Sequence, residues 1–188
     1  GVGHALAQGV GGGAGVQLKW RAPSAGSSSI IPSSAYEPAL TSDSGLLRAY
    51  WTHDAAHASV LGEVDWAAFD EVTNVTEFNW STTTDAFVTD GSTDHFAARI
   101  VGYVDVPADG TWTFGLGSDD GARLFVDGTL VVDDDASHGY RTTSGDIDLD
   151  AGLTEFEVRY LEVTGTQALV VTWEGPGVAE EIVPSAKF

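Results

Sequence analysis

The sequence contains no cysteine and no methionine among its 188 residues. The lack of cysteine excludes disulfide bonds, thiolate metal sites and cysteine nucleophiles. The absence of both oxidisable residue types is typical of exported bacterial proteins, so we expect an extracellular protein, secreted or held at the cell surface. The sequence also has no initiator methionine and no signal peptide, and we therefore expect it to be a piece of a longer parent.

Basic residues are scarce: 8 Lys and Arg stand against 28 Asp and Glu, which gives a formal net charge of −20. A surface of this sign repels phosphate groups, so we exclude a nucleic-acid partner and expect no attraction to an anionic membrane. No apolar run is long enough to span a bilayer, so we also predict no membrane insertion. We expect most of the acidic side chains to be solvated and only a few to bind divalent cations.

Catalytic motifs are lacking as well. The sequence has no G-x-S-x-G elbow, no H-E-x-x-H pair and no P-loop. His53 and His57 have the i, i+4 spacing of a metal pair, but no Glu follows His53, and we interpret them as surface or capping residues. We predict that the protein is not an enzyme.

Alternation of apolar and polar residues dominates what is present. The segments with this strand pattern are "HFAARIVGYVDVP", "GTWTFGLGS", "ARLFVDGTLVVDD", "TEFEVRYLEV" and "QALVVTWEGP". Turn dipeptides separate them, among them Asp127-Gly128, which favours a tight hairpin with positive φ. We predict an all-β fold, an antiparallel, jelly-roll-like β-sandwich with short helical turns and long loops. Trp51, Trp80, Trp112 and Trp173 fall within the strand patterns and are predicted to be core residues.

The two ends of the sequence resemble each other. "LKWRAP" (18–23) matches "VTWEGP" (171–176), and "IIPSSAY" (30–36) matches "IVPSAKF" (182–188) in the same order. We therefore interpret residues 1–44 as the tail of a preceding similar domain plus a linker, and residues 45–188 as one domain of a tandem array. The alternative is that the first 40 residues are an extension of this domain that resembles its end through shared strand patterns.

Two adjacent aspartates, Asp119 and Asp120, lie within "GLGSDDGARLFVDG" (115–128). A turn explains the glycines, but it does not explain two mutually repelling carboxylates at a strand end. The stretch 95–134 around them, with "GLLRAYWTHD" (45–54) and "VRYLEVTGTQALVVTWEGP" (158–176), resembles the protective-antigen-like carbohydrate-binding domain family. This β-sandwich domain is shared by the anthrax protective antigen, yeast flocculins and large bacterial adhesins.

The resemblance implies a calcium site. In the carbohydrate-binding members, the two aspartates are joined by a cis peptide bond and bind one Ca²⁺, which contacts vicinal sugar hydroxyls. Asp119 and Asp120 occupy those positions, and Glu162 stands where flocculins have an Asn ligand. Thr164 and Thr166 fall where the family supplies backbone carbonyls, and Thr166 and Gln167 would border the sugar. Flocculins also carry a Trp near this loop, which this sequence lacks.

Two alternatives stay open for these acidic residues. In non-lectin members of the family the domain is a spacer or processing domain, and the aspartates only shape a turn. A second acidic stretch, "DDDASHGY" (133–140), could form another cation site, but it lacks the known calcium-loop patterns and we predict a solvated loop. The family places a loop near the sugar at this point, so Asp133 to Asp135 could reach a ligand indirectly.

These observations predict a calcium-dependent carbohydrate-binding (lectin) module of a large bacterial surface or secreted protein, which mediates adhesion to glycans. We expect a monomeric module within a multidomain chain, with weak sites made effective by many copies. The alternatives are a carbohydrate-targeting module of a secreted glycoside hydrolase, a ligand-free spacer in a tandem array, and a peptide- or protein-binding domain.

Overall fold

The computed structural model describes residues 6–9, 16–20, 29–30, 47–52, 58–66, 69–87 and 91–188. The chain divides into two compact units, residues 1–41 and residues 42–188. In the first unit, β1 (Leu6–Gly9), β2 (Val16–Trp20) and β3 (Ser29–Ile30) form a three-stranded antiparallel sheet. The origin of residues 1–44 in a preceding domain stays a prediction. His53 and His57 lie outside the described residues.

The second unit consists of two antiparallel sheets. Its strands are β4 (Leu47–Thr52), β5 (Glu71–Val75), β6 (Asn79–Thr83), β7 (Phe96–Val106), β8 (Gly110–Asp119), β9 (Gly121–Val126), β10 (Thr129–Asp134), β11 (Arg141–Leu149), β12 (Gly152–Glu162), β13 (Gln167–Gly175) and β14 (Val178–Ile182). One sheet has the order β10-β9-β12-β7-β4-β5; the other has the order β11-β8-β13-β14, with β6 also paired to β13. The predicted all-β antiparallel sandwich is confirmed. Among the described residues, the helical elements are two 3₁₀ turns, Leu61–Glu63 and Ser185–Lys187, and no helix there is long and apolar enough to cross a bilayer.

Strand alternation forms the core. On β8, Trp112, Phe114 and Leu116 are fully buried, and Leu169, Val171 and Trp173 of the neighbouring β13 join them. The rings of Trp112 and Trp173 lie 4.7 Å apart between centroids. Trp51 is also buried and Trp80 packs against the core half-buried, so the predicted core tryptophans lie where the strand patterns place them.

The β9–β10 hairpin turns at the predicted dipeptide. Asp127 has φ 49° and Gly128 has φ 69°, the left-handed pair that a two-residue turn requires. Val126 and Thr129 pair directly across this turn. The turn prediction is confirmed.

Four connections meet at one end of the sandwich. The β8–β9 and β12–β13 connections each cross from one sheet to the other, as does the β10–β11 loop (135–140). The fourth is the segment that precedes β7. The register places them together, because Glu162 pairs with Phe96, and Asp119 pairs with Ala168. The predicted ligand residues therefore lie at this end, although two segments more than 40 residues apart supply them.

Candidate functional site

Three carboxylates converge where the chain leaves β8 and β12. Asp119 ends β8, Asp120 follows it through a cis peptide bond, and Glu162 ends β12. One carboxylate oxygen from each lies within 4.8 Å of the others. All three residues are buried, with exposed fractions of 5%, 3% and 0%. The structure thus brings together the three carboxylates that the sequence pointed to.

Asp120 accepts hydrogen bonds from two separate loops. Its Oδ1 accepts from the Ser137 hydroxyl (2.7 Å) and from the backbone N–H of His138 (2.8 Å). Its Oδ2 accepts from the backbone N–H groups of Val163 (2.8 Å) and Thr164 (3.4 Å). Four donors fix the orientation of this carboxylate and join the β10–β11 loop to the β12–β13 loop.

Asp119 and Glu162 have fewer partners. The Thr166 hydroxyl donates to Asp119 Oδ2 (2.7 Å), and the Tyr160 hydroxyl lies 2.9 Å from Glu162 Oε2 and also bonds the backbone carbonyl of Asp119. Glu162 Oε1 is buried with no hydrogen-bond partner. A buried carboxylate oxygen without a donor is costly unless something positive completes it.

The electrostatics of the site are strongly negative. Burial raises the pKa of Glu162 to about 8, and the charges of Asp120, Asp119 and Asp94 add to the rise, while the Tyr160 hydrogen bond opposes it. Burial also raises the pKa of the Tyr160 hydroxyl, and Glu162, Asp120 and Asp119 add to that rise. In the part of the chain that the structure describes, none of the three converging carboxylates forms an ion pair with Lys, Arg or His. This concentration of oxygen ligands suits a hard divalent cation.

The predicted loop residues lie at the same place but differ in environment. Thr164 is exposed, whereas Thr166 is half-buried beside Asp119. Gln167, expected at the sugar, is fully buried; its Nε2 donates to the backbone carbonyl of Asp85, and its Oε1 has no partner. Direct contact of Gln167 with a sugar stays a prediction, and the hydrogen bond ties β13 to the segment after β6.

The prediction of a solvated loop over 133–140 is wrong for part of that stretch. Asp134 is 5% exposed and bonds the guanidinium of Arg141, whose hydrogen bond holds the pKa of Asp134 below its ordinary value. Asp135 accepts from the backbone N–H of Leu61 (2.6 Å) and pairs with Arg123 (3.1 Å). The acidic stretch is thus neutralised by arginines that the sequence pattern did not assign to it.

Sequence reasoning also missed two residues that precede β7. Asp94 accepts from the backbone N–H of Gly165 (2.8 Å), and the N–H of His95 donates to the carbonyl of Val163 (3.2 Å). His95 has φ 57°, and its Nδ1 is buried with no hydrogen-bond partner. The available sequence signal was that Asp94 and His95 are a polar pair directly before β7, and β7 pairs with β12, the strand that ends at Glu162.

Comparison with known proteins places the chain in a family. The anti-sigma-I factor RsgI3 of Acetivibrio thermocellus is 30% identical over 96 residues, which cover 50% of this chain and 15% of that protein. The structure of an anti-sigma factor domain-containing protein superposes with a TM-score of 0.64 at 25% identity, covering 76% of this chain and 46% of that one. The PA14 sugar-binding domain from an RTX adhesin gives 0.64 at 19% identity, covering 74% and 95%.

This chain therefore spans less than half of those anti-sigma factor relatives, whereas it matches nearly the whole adhesin domain. The profile of the PA14 domain matches residues 42–187, most of the chain. The resemblance inferred from the motifs is confirmed. The chain belongs to the PA14 domain family.

Proposed function

We propose that residues 42–188 are a calcium-dependent carbohydrate-binding module. The observation that carries this proposal is the convergence of Asp119, Asp120 and Glu162, which are buried and whose carboxylate oxygens lie within 4.8 Å of one another. Like charges at this distance repel strongly in a buried setting, and a bound dication removes the repulsion. The buried, unpartnered Oε1 of Glu162 fits the role of a calcium ligand.

The donor set matches what calcium prefers. Ca²⁺ takes roughly six to eight oxygen ligands, from carboxylates, backbone carbonyls and water. The three carboxylates would hold the ion, with the backbone carbonyls of Thr164 and Thr166 as further ligands. Calcium supplies a positive centre to which two neighbouring sugar hydroxyls can bind in place of water. The protein residues orient the carboxylates, since Asp120 is held by four donors and Asp119 by the Thr166 hydroxyl.

Carbohydrate as the ligand class is supported by the fold shared with the sugar-binding domain of the RTX adhesin. We infer a role in attachment to glycans outside the cell, as part of a larger secreted or surface protein. The absence of catalytic motifs supports a binding role and not an enzymatic one. A ligand-free spacer or the targeting module of a glycoside hydrolase are the alternatives from the sequence.

A second candidate for the parent protein comes from the relatives. The matching segment of the anti-sigma-I factor is 30% identical to this chain, which favours a carbohydrate-binding module within an anti-sigma factor. Both candidates use the same sugar site, so the proposed binding activity is common to them. The remainder of the parent sequence distinguishes them, because an anti-sigma factor carries a sigma-binding domain and an adhesin carries further extracellular modules.

The experiment is calcium titration followed by glycan binding on the full 188-residue chain. Calorimetric titration of Ca²⁺ into chelator-treated protein measures the metal site, and a glycan array read with calcium and with EGTA measures the sugar site. Asp119→Asn is the preferred variant, because Asp119 accepts one side-chain hydrogen bond whereas Asp120 accepts four, so the fold is least disturbed. Asp150→Asn, an exposed aspartate beyond the end of β11 opposite the site, is the matched control.

Wild type and Asp150→Asn should bind one Ca²⁺ and should bind glycans only in its presence. Asp119→Asn should lose at least about tenfold in calcium affinity, since a buried charged ligand is removed. Calcium binding without any glycan binding would favour the spacer. Glycan binding that persists in EGTA would refute the calcium-dependent mechanism.

A further inference from the structure

The outer face of the five-stranded sheet continues directly from the calcium site. Side chains alternate along β8, so Phe114 and Leu116 enter the core while Gly115 and Gly117 face outward. Asp119 is the next outward position in this alternation. We call the part of the outer face that runs from Asp119 back along β8 the strip. At Gly117 and Gly115 β8 has no side chains of its own, so only side chains from neighbouring strands cover the strip there.

Tyr140 covers Gly117 on this strip. A Cβ added at Gly117 would lie 2.6 Å from the Tyr140 hydroxyl oxygen and 3.1 Å from the ring carbon that bears it. The hydroxyl end of the phenol ring therefore lies over Gly117, and a larger residue there would have to displace it. Tyr140 is 48% exposed, so about half of the residue is open to solvent. Because Arg141 pairs with Ser118 in the antiparallel ladder, the backbone of Tyr140 lies beside Asp119.

Hydroxyl groups continue the strip beyond the ring. Thr142 Oγ1 lies 3.2 Å from the same added Cβ at Gly117, and Thr172 Oγ1 occupies the space over Gly115. Farther along, Thr113 donates to Asp146 (2.7 Å) and Thr111 donates to Asp148 (2.6 Å), which leaves exposed carboxylates there. An aromatic face followed by hydroxyls matches the alternating apolar and polar faces of a pyranose chain.

We propose that this strip, made of Tyr140, Thr142 and Thr172, is a second sugar subsite beside the calcium site. This proposal rests on the proposed function and specifies the class of ligand. The ligand is a neutral oligosaccharide whose first sugar binds calcium and whose second sugar stacks on Tyr140. The acidic side chains along the strip and the net charge of −20 repel polyanionic glycans. The ring of Tyr140 supplies the aromatic contact for which the calcium loop itself has no tryptophan.

The test compares disaccharides with monosaccharides on the calcium-loaded chain. The probes are neutral disaccharides that bind wild type on an array, and the methyl glycosides of their component sugars. Tyr140→Ala should weaken disaccharide binding about fivefold to tenfold, while methyl glycoside and calcium affinities stay unchanged. Tyr140→Phe should keep wild-type affinity, because it retains the ring. Tyr103→Ala, a half-buried tyrosine on β7 nearer the opposite end, is the matched control.

Gly117→Ala is a second variant that keeps the ring but displaces it, so it should also lower disaccharide affinity. Equal disaccharide affinity in Tyr140→Ala and wild type would overturn the subsite and leave the calcium site standing. Loss of methyl glycoside or calcium binding in Tyr140→Ala would also overturn it, since Tyr140 would then support the primary site. Preference for polyuronate oligosaccharides would refute the neutral class. If wild type binds no sugar at all, the proposed function falls and the subsite with it.

Discussion

Glu162 should destabilise the calcium-free protein, and replacing it with Gln should stabilise that form. The carboxyl is fully buried beside Asp119 and Asp120, and its pKa is raised from 4.5 to about 8. At pH 7 the folded, calcium-free protein must therefore keep Glu162 protonated, although pH 7 lies about 2.5 pH units above its ordinary pKa. Over about 2.5 pH units, at about 1.4 kcal/mol per unit, this destabilises the fold by at most about 3.5 kcal/mol.

The sign of the pH dependence follows from the same shift. An acidic group whose pKa is raised in the folded state does not lower stability at pH values below its unfolded pKa. It lowers stability progressively as pH rises from the unfolded pKa to the folded pKa. Calcium-free wild type should therefore lose stability between about pH 4.5 and 8, and Glu162→Gln should lack that part of the slope. Calcium should reverse the order, because the ion stabilises the charged carboxylate but not the neutral amide.

Urea unfolding followed by tryptophan fluorescence, in EGTA and in calcium, measures both effects. The control is Glu155→Gln, the same change at an exposed position of the same strand, β12. Glu162→Gln should be up to about 3.5 kcal/mol more stable than wild type in EGTA at pH 7 and should gain less from calcium. A calcium-free Glu162→Gln that is less stable than wild type, or one with an unchanged pH slope, would refute the reasoning.

Two further predictions concern stability alone. Gly145→Ala should lower the free energy of unfolding by about 1–3 kcal/mol, because a Cβ there meets the backbone carbonyl of Val131. The control is Gly62→Ala, where an added Cβ has no neighbouring atom within 4 Å. Equal urea midpoints for Gly145→Ala and wild type would contradict this prediction. Asp134→Asn should destabilise the protein at pH 7, and the difference should shrink as pH falls below about 4, because the Arg141 hydrogen bond lowers the pKa of Asp134 and its stabilisation is lost on protonation. A difference from wild type that stays constant between pH 3 and 7 in urea titrations would argue against the second.

Much of the fold could be predicted because its signals are local. The alternation in β8 and β13 places Trp112 and Trp173 in the core, and the Asp127-Gly128 dipeptide sets the β9–β10 turn through its backbone preferences. The carboxylate pair was visible as an anomaly, since a turn needs only one such residue. Its connection with Glu162 came from the family resemblance, because residues more than 40 positions apart share no period that alternation could reveal.

The residues that sequence reasoning missed act through contacts between loops. Ser137 and His138 bond Asp120, and Asp94 bonds Gly165, yet each lies in an irregular segment without periodicity. The same limit explains the mistaken prediction for Asp134. Its carboxylate is buried by pairing with Arg141, which follows a six-residue loop, and composition alone makes such a stretch look solvated.

The hydrogen bonds of the three carboxylates indicate a different role for each. Both oxygens of Asp120 accept two donors each, so this residue holds the β10–β11 and β12–β13 loops together. Asp119 accepts one side-chain hydrogen bond, and Glu162 has an oxygen with none. Asp119 and Glu162 therefore keep more lone pairs for the proposed cation, whereas Asp120 would couple its binding to the position of the two loops. Because Tyr140 belongs to the segment that follows His138, whose N–H bonds Asp120, we expect occupancy of the proposed calcium site to affect the placement of the aromatic ring that we propose for the second sugar.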